Sequence, residues 1–256
     1  MKHLLLTALF LTGSMAARGQ APAFEAASIK ISHASGTGSG MSRYPNRIRI
    51  INSTLKFCVQ VAWNVKDFQV AGGAGWMDTE RYEIDAVAAE PFKKDEYREM
   101  LRSMLADRFG LAVHSETQDR QGYILIAARN GPKLPPPADD PDVMFSGTPS
   151  GNRTLKARNV TLKGLADALS LPLRAIVVDQ TGIEGRYDVS FEWTPDAASM
   201  PRVSKSGEPL PPAPADAASG PSIFTALQEK LGLRLESRKV PVEVIVIDHA
   251  NRPSEN

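Results

Sequence analysis

Along Arg81-Tyr82-Glu83-Ile84-Asp85-Ala86-Val87 polar and apolar residues alternate, the pattern of a strand covering a core on one side. Phe24 to Ile31 and Arg47 to Ile51 read as further strands, separated by a Gly/Ser-rich run from Ser35 to Ser42 that reads as a linker. Leu55, Cys58, Val61, Ala62 and Val65 then recur at helical spacing, with Thr54 at the N-cap position. Phe68 to Val70 reads as a short strand that Gly72-Gly73-Ala74-Gly75 breaks. A second helix from about Lys94 to Phe109 presents Tyr97, Met100, Leu101, Met104, Leu105 and Phe109 to the core, and Gly110 suits its C-cap. Leu111 to Glu116 and Tyr123 to Ala128 look like a strand pair around a polar turn at 117–122.

The same order returns downstream. Thr154 to Arg158 is a strand, and Thr161 caps a helix carrying Leu162, Leu165, Ala168 and Leu169, which Pro172 closes. Ala175 to Asp179 and Arg186 to Trp193 read as strands. Ser222 caps a helix over Ile223 to Leu231, and Leu233 to Ser237 pairs with Val242 to Asp248. Local sequence echoes the same order. Asn52-Ser53-Thr54-Leu55-Lys56 returns as Asn159-Val160-Thr161-Leu162-Lys163, and Arg81-Tyr82-Glu83-Ile84-Asp85 as Arg186-Tyr187-Asp188-Val189-Ser190. Leu105 to Leu111 likewise returns as Leu227 to Leu233. The expected fold is therefore α+β, a tandem duplication of a β-α-β-β-α-β-β unit with helices packed on mainly antiparallel sheets. Thr54 should correspond to Thr161, Tyr82 to Tyr187 and Gly110 to Gly232. The expected divisions are a first half over 21–131, a linker over 132–150 and a second half over 151–256. A Pro/Ala/Ser-rich insertion at about 196–220 has too little apolar surface to order itself.

Composition adds limits rather than a reaction. The 256 residues are 42% hydrophobic, which argues for a folded chain, and 30 basic against 29 acidic residues give a net charge of +1. That balance supplies no general attraction to nucleic acid or an anionic membrane. Lys2 followed by Leu4 to Leu11 and then by small residues from Ser14 to Ala21 reads as a signal peptide over 1–20. No later stretch approaches the roughly 18 apolar residues of a spanning helix. The mature chain is thus expected to be exported, periplasmic or extracellular, and with Cys58 alone it has no intramolecular disulfide.

Candidate chemistry is sparse. His33, His114 and His249 share no metal-ligand spacing, and neither a phosphate loop nor a nucleophile elbow is present, so no catalytic, metal or cofactor residues are assigned. Asp248-His249 is a weak acid–base candidate, since neighbouring strand residues point to opposite faces. Cys58 lies on an apolar helix face and reads as core. Three sequons, at Asn52, Asn152 and Asn159, are discounted because two coincide with helix caps. Binding candidates are Trp76, beside flexible glycines and charged groups, and Arg81 and Arg186 ahead of their matched tyrosines. Trp76 reads either as a ligand-binding lip or as an anchor of its loop on the core. The arginines read either as ligand contacts or as partners of Asp78 and Asp179 across turns.

Several segments resemble one bacterial family: Phe24 to Lys30, Gly72 to Asp78, Met104 to Phe109, Val177 to Asp188 and Val246 to Asn256. The family is an uncharacterised exported group expanded in soil acidobacteria, some of whose relatives are joined to membrane metallopeptidases of the antibiotic-sensor type. The resemblance implies no activity, substrate or catalytic residue. Each half is also distantly similar to the short N-terminal modules of secretins and TonB-dependent receptors, through a Thr-Leu-x-x-Leu helix, a Val-Val-Asp strand and a Gly-x-Tyr strand. These features lead to an expected exported, non-catalytic interaction or sensing module of unknown ligand. Its partner would be an unknown envelope protein or peptide, with no nucleic acid and no membrane span. A hydrolase of envelope or extracellular material and a structural part of an envelope assembly are the alternatives.

Overall fold

A computed structural model of the protein describes residues 22–33, 38–137, 141–147, 152–195 and 220–253. The proposed signal peptide and nearly all of the 196–220 insertion lie outside these residues. The fold is α+β, with helices packed on mainly antiparallel sheets. In the first half, β1 (Ala26–Ile31), β2 (Gly40–Arg43), β3 (Arg47–Thr54) and β5 (Arg81–Val87) form a sheet in the order β1-β5-β3-β2. In the second, β7 (Asp142–Gly147), β8 (Arg153–Val160) and β10 (Tyr187–Trp193) form one in the order β10-β8-β7. Two of these strands lie where linkers were expected: β2 at the end of the Gly/Ser run and β7 within 132–150. Both are edge strands, and an edge strand is held by pairing on one side rather than by a strong apolar alternation of its own.

Local chemistry sets the helices in matching ways. Asn52 and Asn159 are left-handed, with φ of 46° and 48°, and each lies at a shift of register in its sheet. Two residues on, the Thr54 hydroxyl accepts the Phe57 N–H at 3.2 Å and the Thr161 hydroxyl accepts the Gly164 N–H at 3.1 Å. These caps start α1 (Leu55–Trp63) and α4 (Leu162–Leu173), which end on left-handed Asn64 and Arg174. Pro172 does not close α4 as expected. It sits inside the last turn, followed by Leu173. The short α2 (Trp76–Thr79) follows β4 (Val70–Gly72), while β9 (Val177–Asp179) follows α4. Then α3 (Glu96–Phe109) and α5 (Ile223–Leu231) end on left-handed Gly110 and Gly232, at φ of 56° and 63°. Thr54 and Thr161 are the N-caps of α1 and α4, Tyr82 and Tyr187 lie at the starts of β5 and β10, and Gly110 and Gly232 are the C-caps of α3 and α5.

Beyond those two glycines the chain departs from the expected arrangement. Residues 111–128 and 233–248 are not strand pairs around polar turns. They are two continuous strands, β6 (Ala112–Ala127) and β11 (Leu233–His249), which pair antiparallel at sixteen positions. The polar stretches that resemble turns are the middle rungs of this ribbon. Pro241 is tolerated there because it faces Asp119 at a rung whose N–H groups point out of the ribbon, as that of Tyr123 does toward the Ile176 carbonyl. β4 adds parallel to β11 at Ile245–Ile247, and β9 adds parallel to β6 at Tyr123–Leu125. Each half thus lends its short strand to the other half's long one.

This exchange joins the cores. The first core gathers Ile48, Ile50, Leu55, Tyr82, Leu101 and Phe109, and is completed by Ile245 and Ile247 of β11. The second gathers Leu155, Leu165, Phe191, Leu227 and Leu233 with Leu125 of β6. A third, smaller core lies between them, where Ile124, Val240, Val242 and Val244 are buried on one face of the ribbon. Two loops meet beside it. Arg174 pairs with Asp67 at 2.8 Å, and Arg120 donates to the Phe68 carbonyl at 2.6 Å.

The two C-cap glycines differ in what surrounds them. A Cβ on Gly232 would meet the Gly131 carbonyl oxygen at 2.0 Å, whereas one on Gly110 would meet only the Asn251 side chain at 3.2 Å. Both also carry the left-handed penalty of roughly 1–2 kcal/mol for other residues. Gly38, with nothing within 4 Å, carries neither. Denaturant unfolding should therefore rank Gly232→Val as most destabilising, Gly110→Val next at about 1–2 kcal/mol, and Gly38→Val near wild type. A Gly232→Val protein as stable as Gly38→Val would contradict this cap geometry.

Candidate functional site

Alternation along β8 turns Leu155 and Ala157 into the second core and leaves Lys156 and Arg158 on the outer face of the sheet. Across the rungs, Met144 of β7 and Ser190 of β10 flank Lys156, while Asp142 stands opposite Arg158. Lys133 and Pro135 border this face beside β10, and Lys230 reaches it from α5. Together they line an open groove of about 680 Å³. Its two carboxylates already have work. Asp142 lies 3.6 Å from Arg158, and Asp188 accepts the Asn159 N–H at 2.7 Å. Lys133 donates to the Glu229 carbonyl at 3.1 Å. Lys156 and Lys230 form no ion pair among the described residues, and with Lys133 and Arg158 they outnumber the two carboxylates of the lining.

The equivalent face of the first half is balanced differently. Arg49 stands where Lys156 does, and its cross-strand neighbour is Asp85 where the second half has Ser190. Asp85 is gripped by Arg47, whose Nε donates at 2.6 Å, and this contact holds the carboxyl below its ordinary range. The first face has a carboxylate beside Arg47 and Arg49, where the second has Ser190.

The binding residues expected from sequence are placed apart. Trp76 opens α2, half-buried, and the Arg252 guanidinium lies 5.2 Å from its ring. Arg252 Nε donates to both Glu80 oxygens at 2.9 and 3.0 Å, and the Tyr82 hydroxyl donates to Glu80 at 3.0 Å. The Asn251 N–H bonds the Phe109 carbonyl at 2.7 Å, so residues 251–252 lie against the first half beside Trp76. Contact with Arg252 lowers the Glu80 pKa, and burial raises that of Tyr82. Arg81 and Arg186 do not pair with Asp78 and Asp179. They donate to the carbonyls of left-handed Asn52 and Asn159 at 2.8 and 2.7 Å, bracing the bulge before each capped helix. Asp78 pairs with Lys56 instead, and Asp179 accepts from Thr181. No hydrogen bond or cation–ring contact joins Trp76 to either arginine among the described residues.

Asp248 and His249 do not form an acid–base pair, in keeping with their places on successive strand residues. Asp248 turns away from His249 and lies 2.9 Å from His114 Nδ1 across the ribbon, with Glu116 at 3.9 Å from Nε2. The hydrogen bond to Asp248 raises the His114 pKa, and the charges of Asp248 and Glu116 add to it. The pair sits exposed on a strand face. Cys58 is fully buried, and its thiol pKa is pushed up to about 12 by desolvation. Among the described residues no three His, Cys, Asp or Glu side chains form a group that could hold a metal ion, and no helix is long and apolar enough to cross a membrane.

Fold and site together define an α+β protein whose two main cores share a central ribbon and whose second sheet carries an open, basic groove. The chain belongs to the family described as "Protein of unknown function (DUF3738)", which matches residues 56–250. No curated protein and no solved structure matches it.

Two measurements check these assignments. Cys58 should stay unmodified by a disulfide reagent in the native protein and react stoichiometrically once unfolded; rapid native labelling would place the thiol outside the core. The raised His114 pKa means that the pair with Asp248 stabilises the fold fully below the ordinary imidazole value, and that this contribution fades as pH rises through the raised one. An NMR titration of Asp248→Asn should move the His114 midpoint down toward the ordinary value. An unchanged midpoint would remove Asp248 as the cause.

Proposed function

We propose that the protein is an exported, non-catalytic interaction or sensing module, built from two copies of one ancestral unit, that engages a protein or peptide of the cell envelope or its surroundings. The observation that carries this reading is the groove of the second half. It is open and edged by β7, which ends its sheet among the described residues; its cations outnumber its two carboxylates, and those are engaged with Arg158 and the Asn159 N–H rather than with Ser190. The recurrence of caps, left-handed asparagines, bracing arginines and exchanged strands supports common descent of the halves. The N-terminal sequence pattern supports export, and it agrees with the resemblance to an exported bacterial group found in soil acidobacteria. The hydrolase alternative has one specific observation behind it, the His114–Asp248 pair, but no nucleophile is seen beside that pair among the described residues.

Site-specific photocrosslinking tests the reading. A photoreactive side chain at Met144 in the groove should trap one discrete envelope or extracellular protein from the native host, and excess unlabelled chain should compete it away. The same group at exposed Leu171 should trap none. Turnover of any substrate in a broad hydrolase panel, abolished by Asp248→Asn in a protein that remains folded, would overturn the non-catalytic assignment.

A further inference from the structure

The edges of the second sheet are treated unequally. On the β10 side, the N–H groups of Asp188 and Thr194 are taken by the carbonyls of Pro135 and Pro221, at 3.2 and 2.9 Å. On the β7 side, no strand follows among the described residues. Edge strands are ordinarily blunted by lysine, proline, a bulge or a cover, because a bare edge is a template for another strand. Over Asp142–Gly147 there is no lysine, no proline and no shift of register, and the one charged residue, Asp142, is drawn back onto the sheet by Arg158 at 3.6 Å. Val143 and Met144 are instead 42% and 54% exposed, among the few large apolar side chains left in solvent. The corresponding edge strand of the first half, β2, ends on Arg43, whose guanidinium donates to the Lys94 carbonyl at 3.3 Å.

The charge behind this edge is equally one-sided. Met144, Lys156 and Ser190 stand in one row across the sheet, and Asp142 and Arg158 in the next. A strand added outside β7 would place its side chains two strand spacings, roughly 10 Å, from the Lys156 backbone. A lysine reaching one way over Met144 and a glutamate reaching the other span that gap. Lys156 has Ser190 across from it where the first half has Asp85, no carboxylate pairs with it among the described residues, and Lys230 adds a further cation to the groove.

Resting on the interaction-module reading, we infer that the β7 edge and the adjoining groove take an extended, acidic segment of a partner protein. The segment adds as a further strand to the β10-β8-β7 sheet. Main-chain hydrogen bonds to β7 supply the pairing, Val143 and Met144 the apolar contact, and Lys156 and Lys230 the preference for carboxylates.

The test uses the chain from residue 21 onward and a fluorescent ten-residue peptide alternating Glu and Val, followed by anisotropy at low salt. It should bind at least tenfold more tightly than the same peptide with Lys in place of Glu. The double variant Lys156→Glu, Lys230→Glu, with unchanged circular dichroism, should lose at least tenfold in affinity for the Glu peptide. Two versions N-methylated at alternate amides separate strand addition from simple charge attraction: one, blocked on the face toward β7, should lose binding, and the other should keep it. Equal binding of the Lys peptide, indifference to charge reversal, or equal behaviour of the two N-methylated peptides would each overturn the assignment. So would a dimer in sedimentation that the charge variant dissolves, which makes a second copy the occupant. Peptide binding that appears only after deletion of residues 197–218 would make that segment the occupant and overturn it likewise. If no peptide binds while Met144 still crosslinks its competed partner, the acidic-strand assignment falls and the interaction-module reading stands.

Discussion

Everything else in this fold hangs on the antiparallel pairing of β6 with β11. Sixteen paired positions run from Leu233 opposite Ala127 to His249 opposite Ala112, so each strand passes out of one core and into the other. Leu125 and Leu233 close the second core at one end, while Ile245 and Ile247 close the first at the other. The middle of the ribbon is covered on one face by the third core and the meeting of Asp67 with Arg174. Small domains bury proportionally less surface than large ones. The ribbon meets that difficulty by letting each half use apolar residues that the other half's strand delivers.

Within this shared frame the two halves match in what holds the backbone and differ in what their surfaces carry. Both keep the left-handed asparagine, the capping threonine and the arginine that braces the bulge, because these hold the backbone. They differ on the outer faces of their sheets, where Asp85 with Arg47 in one becomes Ser190 in the other. A framework change would cost stability in both halves, whereas an outer-face change alters only what the surface attracts.

Sequence patterns were most informative where structure is local. The alternation over Arg81–Val87 located β5 to the residue, and Thr54, Thr161 and Ser222 each marked a helix start through a hydroxyl within reach of an N–H three residues on. The long strands resemble hairpins in sequence because Ser115 to Gln121 is polar, and polar residues in the solvent-facing middle of a ribbon look like a turn. The site was harder. Arg252 meets Glu80 across 172 residues, and Asp248 meets His114 across 134, distances over which no spacing rule operates. Arg81 and Arg186 stand out correctly as a matched pair, but their partners are main-chain carbonyls, which carry no side-chain signature. The basic groove had one trace in sequence, the cationic even positions of Lys156 and Arg158, yet its charge balance depends on Ser190 and Lys230 from other elements.

The placement of Ile245 and Ile247 also sets an order of events. These two residues, near the end of the chain, plug the core built by its beginning, so α1, α3 and the first sheet cannot reach their final packing until almost all of β11 is available. Two halves that shared no strands would let the first fold while the second is still being made. Here the exchange of strands forbids that, and contacts of such long sequence separation are slow to close. During synthesis the first core therefore lacks Ile245 and Ile247 until that strand has been made.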